Sequence, residues 1–269
     1  MINLITIKNY VVPQTVEEAY GYLTSNKAST IFGGGAFIRM GSKNISTAID
    51  LSKCGLNNIT ESDDSIEIGA MVTFGDLESS TILKNHFNNL LAISVKDIVG
   101  IQMRNIVTVG GTVYSRYGFS DFITALMVLD AKVKLHKGGL VPIELFITDG
   151  SKEKDILEYI TIKKDNRRAS FKSMRNSKGD YAILNIAVSK KENMCIAVGA
   201  RPGRAILAKK TMEYINENGI NLDNLEEALD VLTEEVKFGS NSRGSSQYRE
   251  KICRTLIKRA LKEADCLEA

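Results

Sequence analysis

What most limits the fold of this chain is a pair of glycine clusters, each following a short β-branched run. Thr30-Ile31-Phe32 leads into Gly33-Gly34-Gly35, and Val107-Thr108-Val109, read as a strand, leads into Gly110-Gly111. Without a Cβ the backbone can turn sharply at these points, and its amides can come close to an anionic group. After the second cluster, Ser120 is placed to cap a helix whose first turn holds Asp121, where a carboxylate is favoured by the partial positive charge of the helix start. The second cluster alone reads more readily as a plain turn, and Asp121 as an ordinary helix-start residue. Two of them could clamp a diphosphate from both sides with amide donors in place of lysines, which points to a dinucleotide.

The nicotinamide-type Rossmann fingerprint is the tempting alternative, since Asp50 follows the first cluster at a plausible distance. Only 11 residues, Ala36 to Ser46, separate Gly35 from the next strand at Thr47, too few for a crossover helix with its loops. Position 38 is isoleucine where the fingerprint needs its third glycine. A nicotinamide-type Rossmann domain is therefore not expected.

Length and charge narrow the classes further. The 269 residues suffice for two modest domains, and 43% hydrophobic with 25% charged residues is ordinary globular composition. A net charge of +3 gives no electrostatic case for nucleic acid or an acidic membrane surface. No apolar run reaches the roughly 20 residues of a membrane span, and the start lacks the pattern of a signal peptide, so a cytoplasmic protein is expected. Cys54, Cys195, Cys253 and Cys266 are scattered without CxxC pairing, and His86 and His136 are the only histidines. Free thiols and structural histidines are expected, with no iron–sulfur cluster, metal site or Ser-His-Asp triad in this chain.

Periodicity predicts a strand over Leu4–Ile7, then a helix from a capping box of Thr15 and Glu18 to about Leu23. Strands follow at Ser29–Phe32, Thr47–Leu51 and Ser65–Ala70, a short helix at Phe74–Ser79, and one core-packed helix over Ile82–Val99. The helix after Asp121 precedes a hairpin of Ala131–Leu135 and Val141–Phe146 around Lys137-Gly138-Gly139, then a strand at Ile156–Ile162. Lys163 to Arg168, KKDNRR, reads as a solvated linker dividing residues 1–165 from 166–269. Beyond it, strands at Ala169–Arg175, Tyr181–Ser189 and Met194–Ala200 precede helices at about Ala205–Glu217, Leu222–Phe238 and Gln247–Ala264. Leu225, Leu229, Leu232 and Val236 make an amphipathic stripe suited to cover the sheet.

The order of several short motifs resembles the FAD-binding subunits of the molybdenum hydroxylases, the xanthine dehydrogenase and carbon monoxide dehydrogenase group. They are Pro13-Gln14-Thr15-Val16-Glu17-Glu18-Ala19, the first glycine loop, Ile68-Gly69-Ala70-Met71-Val72-Thr73, Arg104-Asn105 before Thr108-Val109-Gly110-Gly111, and Leu129-Asp130-Ala131. Phe171-Lys172, Asp180-Tyr181-Ala182 and Arg243-Gly244-Ser245-Ser246-Gln247-Tyr248-Arg249 continue the likeness over nearly the whole chain.

The resemblance implies an α+β protein: a two-lobed FAD-binding domain of the PCMH type, then a C-terminal domain of three antiparallel strands packed with helices. It assigns the diphosphate to Phe32, Gly33, Gly34, Gly35, Ala36 and Phe37 in the first loop and to Thr108, Val109, Gly110, Gly111 and Thr112 in the second. Asp121 matches an acid near the cofactor, Ile98 a residue packing on the isoalloxazine, and Lys172 a lysine at the domain junction. Four departures stand out. Thr112 replaces the usual Asn, Ala36 a hydrogen-bonding side chain, the bulky Tyr114 to Phe119 a small-residue segment, and Asp149-Gly150-Ser151 a Thr-Leu segment. The implied activity is electron transfer from the 2Fe-2S clusters of one partner subunit, fed by a molybdopterin subunit, through FAD to NAD or another acceptor. A flavin-free assembly subunit and a stand-alone flavin reductase are the alternatives.

Overall fold

The computed structural model describes residues 4 to 266. The first lobe is built from β1 (Thr6–Val11), α1 (Val16–Ser25), β2 (Ser29–Phe32) and β3 (Asn44–Asp50). Its sheet runs β1-β3-β2 with both pairings parallel, Thr6 opposite Asn44 and Ser29 opposite Thr47. Thr15 caps α1 by accepting from the Glu18 amide at 3.1 Å, while Glu18 accepts from the Gln14 amide at 2.8 Å. Only a 3-10 turn, Ile38–Met40, lies between β2 and β3, in agreement with the argument against a Rossmann crossover.

The second lobe opens with β4 (Ile59–Glu61) and β5 (Ser65–Gly69), followed by short helices α2 (Phe74–Ser79), α3 (Thr81–Lys84), α4 (Leu90–Val95), α5 (Ile101–Arg104), α6 (Val109–Ser115) and α7 (Asp121–Met127). It ends with β6 (Lys132–Leu135), β7 (Gly139–Pro142), α8 (Ile143–Asp149) and β8 (Leu157–Lys163). Its sheet is ordered β4-β5-β8-β6-β7, antiparallel throughout. The last third comprises β9 (Arg168–Arg175), β10 (Ala182–Lys190), β11 (Met194–Gly199), β12 (Ile206–Leu207), α9 (Lys209–Asn218), α10 (Leu225–Glu235) and α11 (Ser246–Glu263). The three expected antiparallel strands are joined by two-residue β12 in the order β12-β11-β10-β9. Leu225, Leu229, Leu232 and Val236 pack into the core formed with β10, β11 and α11.

Several expected elements differ. Val107 to Val109 is no strand: Thr108 makes a single bridge to Thr73 and caps α6, so Gly110 and Gly111 lie in a helix's first turn. The stretch 82–99 is broken where Phe87, Asn88 and Asn89 take positive φ, two of them asparagines, which tolerate the left-handed region. The strand expected over 141–146 stops at Pro142, whose fixed φ and missing amide suit the helix start that follows. The segment before α9 is taken up by β12.

The linker is more tied down than a solvated run. Arg167 donates to the Val128 carbonyl at 2.8 Å and pairs with Asp165 at 2.8 Å and Asp130 at 3.0 Å, and Lys164 pairs with Glu61 at 2.8 Å. The large core also continues across it, because Ala169, Phe171 and Ala197 pack with Phe122, Leu126 and Ile160.

Candidate functional site

Where β2 ends, the chain turns through Gly33, Gly34 and Gly35 and drops onto the loop before α6. The glycines are required by this contact. A Cβ on Gly34 would lie 1.4 Å from the Ile106 carbonyl oxygen, and one on Gly33 would lie 2.7 Å from the Thr108 hydroxyl. Gly35 has φ of +70° and covers the Phe32 ring, whose atoms would sit 2.6 Å from an added Cβ. Gly110 presses on Ala70 in the same way, at 2.8 Å. The first cluster therefore lets the lobes touch, Gly34 meeting the Ile106 backbone, while Gly110 lets α6 pack closely on Ala70 within the second lobe.

Their amides are in different states. In the second loop, Val109 donates to the Val72 carbonyl at 2.9 Å, Gly110 to Ala70 at 2.8 Å and Thr112 to Thr108 at 3.0 Å, while the Gly111 amide donates to the Thr108 hydroxyl at 3.2 Å. In the first loop, the amides of residues 33 to 37 meet no acceptor among the described residues. Of these five residues only Ala36 is buried, and donors without a protein partner need an external one. The expected clamp of amides from both sides is thus one-sided: the first loop offers open donors, and the second supplies a wall.

These loops border a cavity of about 570 Å³ lying in the seam between the lobes. Gly33, Gly34, Gly35, Ala36, Phe37, Thr108, Gly110, Gly111 and Thr112 all line it. The seam continues between Leu23 and Ile31 on one side and Met71, Ile156 and Leu157 on the other, an apolar slot with Lys43 and Lys154 among its lining. Lys154 is anchored, donating to the carbonyls of Lys27 at 2.6 Å, Ser29 at 3.0 Å and Asn26 at 3.3 Å. A dinucleotide fits such a place: an apolar slot for a base, and open amides for a diphosphate.

Five of the residues singled out from the sequence lie off the cavity lining. Phe32 lies beneath Gly35 with its edge to Tyr10, and Val109 is fully buried. Ile98 packs on the large core, and its carbonyl accepts from Arg104 at 3.3 Å. Asp121 is 2% exposed and held by the Arg175 guanidinium and the Asn185 amide. Burial pushes its carboxyl above the usual range, while Arg175 and Asn185 pull it back. Lys172 is paired with Glu263.

The bulky segment after the second loop builds a feature that the sequence left open. Phe37, Tyr117, Phe119 and Tyr181 form a continuous aromatic column, with ring centroids 5.0, 4.9 and 4.6 Å apart, and Arg243 lies 5.0 Å from the Tyr181 ring. The column links the first loop to the C-terminal sheet, and Phe37 and Tyr117 close one end of the cavity. Tyr114 instead braces the seam by accepting from the Asp155 amide at 3.2 Å. Arg104 braces the loop ahead of α6 through the Ile98 and Val99 carbonyls and Glu78. Arg249, buried, ties α11 to the carbonyls of Ile183, Gly239 and Gly244. Lys154 and Asp155 carried no sequence signal, because they come from an aperiodic charged loop ahead of β8.

Fold and seam together define a two-lobed dinucleotide-binding protein with an added α+β domain, and solved structures share that architecture. The carbon monoxide dehydrogenase of Hydrogenophaga pseudoflava that lacks the Mo-pyranopterin moiety superposes with a TM-score of 0.88 at 22% identity, over 98% of both chains. Quinoline 2-oxidoreductase of Pseudomonas putida 86 gives 0.85 at 21% identity over 96% of both. Among curated proteins, the glyceraldehyde dehydrogenase medium chain of Sulfolobus acidocaldarius is 24% identical, covering 95% of this chain and 97% of its own length. The nicotine 6-hydroxylase medium subunit of Paenarthrobacter nicotinovorans is 25% identical over 95% and 96%. Residues 5–162 match the FAD binding domain in molybdopterin dehydrogenase, and residues 169–264 match the CO dehydrogenase flavoprotein C-terminal domain. The chain therefore belongs to the FAD-binding subunit family of the molybdenum hydroxylases, and is an oxidoreductase subunit.

Proposed function

We propose that this chain is the electron-transferring FAD subunit of a multi-subunit molybdopterin hydroxylase, working in the cytoplasm beside an iron–sulfur subunit and a molybdopterin subunit, with NAD as acceptor. The carrying observation is the open row of amides at residues 33 to 37, facing a seam cavity between two lobes. The relatives' names as medium chain and medium subunit support assembly with other subunits. We place the domain division at the docked linker, residues 163–168.

In this reading the amides of Gly33 to Phe37 hold the diphosphate, and Gly110, Gly111 and Thr112 form the opposite wall. The apolar slot of Leu23, Ile31 and Leu157 takes a base. Phe37 and Tyr117 close the other end and exclude water. When bound, FAD supplies the redox chemistry, taking electrons singly and passing them on as a pair. Asp121, paired with Arg175, holds the C-terminal domain against the second lobe so that the aromatic column stays in place, and Lys172, paired with Glu263, ties β9 to α11 within that domain.

The visible absorbance of the isolated chain is the direct test. The two-band spectrum of an oxidised flavin, with FAD released by acid, is the expected result, and bleaching by NADH supports NAD as acceptor. A colourless protein that also fails to take up added FAD, alone and with its partner subunits, would overturn the reading in favour of a flavin-free assembly subunit.

A further inference from the structure

A second, smaller cavity opens at the far end of the aromatic column. Its volume is about 350 Å³, and it shares no lining residue with the seam cavity. Gly118 and Phe119 of the second lobe form one side, and the loops carrying Pro202 and Asn241 in the C-terminal domain form the other. These loops meet closely, since a Cβ on Gly118 would lie 2.5 Å from the Gly203 carbonyl oxygen, and the Gly118 carbonyl accepts from the Ala200 amide at 3.1 Å. The cavity therefore belongs to the domain junction itself.

Its walls are carbon, and the polar side-chain groups left open on it are donors. Phe119 and Tyr181, edge to face at 4.6 Å, line it together with Pro202. Asn241 Oδ1 already accepts from Arg249 Nη2 at 2.7 Å and from the Arg243 amide at 3.0 Å. Both partners can only donate, which fixes the orientation of the Asn241 amide and leaves its NH2 without an acceptor among the described residues. Arg243 lies 5.0 Å from the Tyr181 ring, and of its three nitrogens only Nη2 reaches a carboxylate, Asp180 Oδ1 at 3.4 Å. Its Nε is buried with no acceptor at all, a costly state for a charged donor.

The surroundings add to this imbalance. The amides of Gly118, Phe119 and Gly203 meet no acceptor among the described residues. Arg201, half-buried, donates to the Arg204 and Lys237 carbonyls, and Arg204 to that of Thr148. Neither guanidinium pairs with a carboxylate among the described residues.

An apolar slot edged by unsatisfied donors fits a ligand with apolar faces and a charged acceptor at one end. We infer that this cavity binds a small planar anion, an aromatic or heteroaromatic ring bearing a carboxylate, with the ring against Phe119, Tyr181 and Pro202 and the carboxylate held by Arg243 and the Asn241 amide. A carboxylate presents two oxygens to the guanidinium, the fork that a single Asp180 oxygen at 3.4 Å does not supply. A bare phosphate would leave the carbon walls uncovered. The site stands apart from the FAD reading, because none of these residues borders the seam cavity.

Calorimetric titration of the full chain with benzoate and with benzamide, at low salt and with FAD saturating, tests this. Benzoate should saturate a single site with a dissociation constant of about 1 mM or below, and benzamide should bind about tenfold more weakly or worse, the ratio of one charge-assisted contact. Melting temperature should rise with benzoate and stay level with equal benzamide. Arg243→Leu should weaken benzoate by about tenfold or more and erase its advantage over benzamide. Asn241→Asp, which keeps an oxygen for Arg249 and adds a negative charge to the lining, should do the same. No saturation by about 20 mM benzoate, equal affinity for the two probes, or wild-type benzoate binding in either folded variant sinks the site. The titration repeated without FAD should return the same constant. Benzoate that binds only when FAD is absent would place the anion on the first-loop amides, and counts against the second cavity as well.

Discussion

The two glycine loops look alike in sequence and differ in what their backbones are free to do. Both use glycine because the other loop, or Ala70, sits where a Cβ would go. Yet the amides of the second loop are satisfied by Val72, Ala70 and Thr108, while those of residues 33 to 37 have no protein acceptor among the described residues. A glycine cluster therefore reports close backbone approach, and the hydrogen-bond inventory decides whether the approaching partner is the protein itself or something else.

Substituting the glycines separates these roles. Gly34→Val should have the largest effect, because its Cβ cannot coexist with the Ile106 carbonyl at 1.4 Å and the loops must part. A loss of about 3–5 kcal/mol in denaturant titration, with no flavin retained, is expected. Near-normal stability would show that the first loop can leave the second without harm.

Gly111→Asp sharpens the contrast, since Gly111 is exposed at the cavity and its new Cβ would meet only the Thr108 hydroxyl, at 2.9 Å. The fold should survive at a cost of about 1 kcal/mol from the disturbed cap. FAD affinity should drop by about a hundredfold or more, because the carboxylate faces the diphosphate. Full flavin content in this variant would break the assignment of the second loop as the opposite wall.

Thr108→Ala tests the satisfied amides directly. Removing the cap hydroxyl should lower stability by about 1 kcal/mol and free the Gly111 amide toward the cavity. FAD affinity, measured by fluorescence quenching, should hold or rise. A marked fall would mean that the second loop already donates to the cofactor.

The smallest expected effect lies away from both loops, at the linker. Burial raises the Asp165 carboxyl, but hydrogen bonds and charge from Arg167 outweigh it and hold it below its usual range. A carboxyl depressed in the folded state contributes stability above its unfolded pKa, and that contribution is lost as pH falls through the folded value. Melting temperature should therefore decline on acidification below about pH 4 more steeply in wild type than in Asp165→Asn. Equal slopes would mean that Asp165 is not the group responsible.

Much of this fold was legible because its pieces obey local rules. The Thr15 N-cap of α1, the Lys137-Gly138-Gly139 hairpin turn and the α10 stripe are short-range patterns that the structure contains, although Glu18 reaches back to the Gln14 amide where a full capping box would engage that of Thr15. The misreadings came where local chemistry was ambiguous. Val107 to Val109 is β-branched, yet Thr108 turns it into a helix cap, and Pro142 stops a strand that its apolar neighbours would extend. At the site, the glycines were visible as glycines, but their contacts with Ile106 and Ala70 span tens of residues and leave no periodic trace. Lys154 and the aromatic column were hidden for the same reason. Nor could spacing show that Asp121 would be enclosed by Arg175 and Asn185 from another sheet.

The cavity is itself the join between the lobes, with Leu23, Ile31 and the first loop on one bank and Met71, Leu157 and the second loop on the other. Whatever fills it also glues the banks together, and by mass action stabilises the folded chain in proportion to the logarithm of its free concentration. Vitamin supply would then set turnover: a cell short of flavin would hold this polypeptide with its seam unglued, exposed to proteases before any partner could reach it.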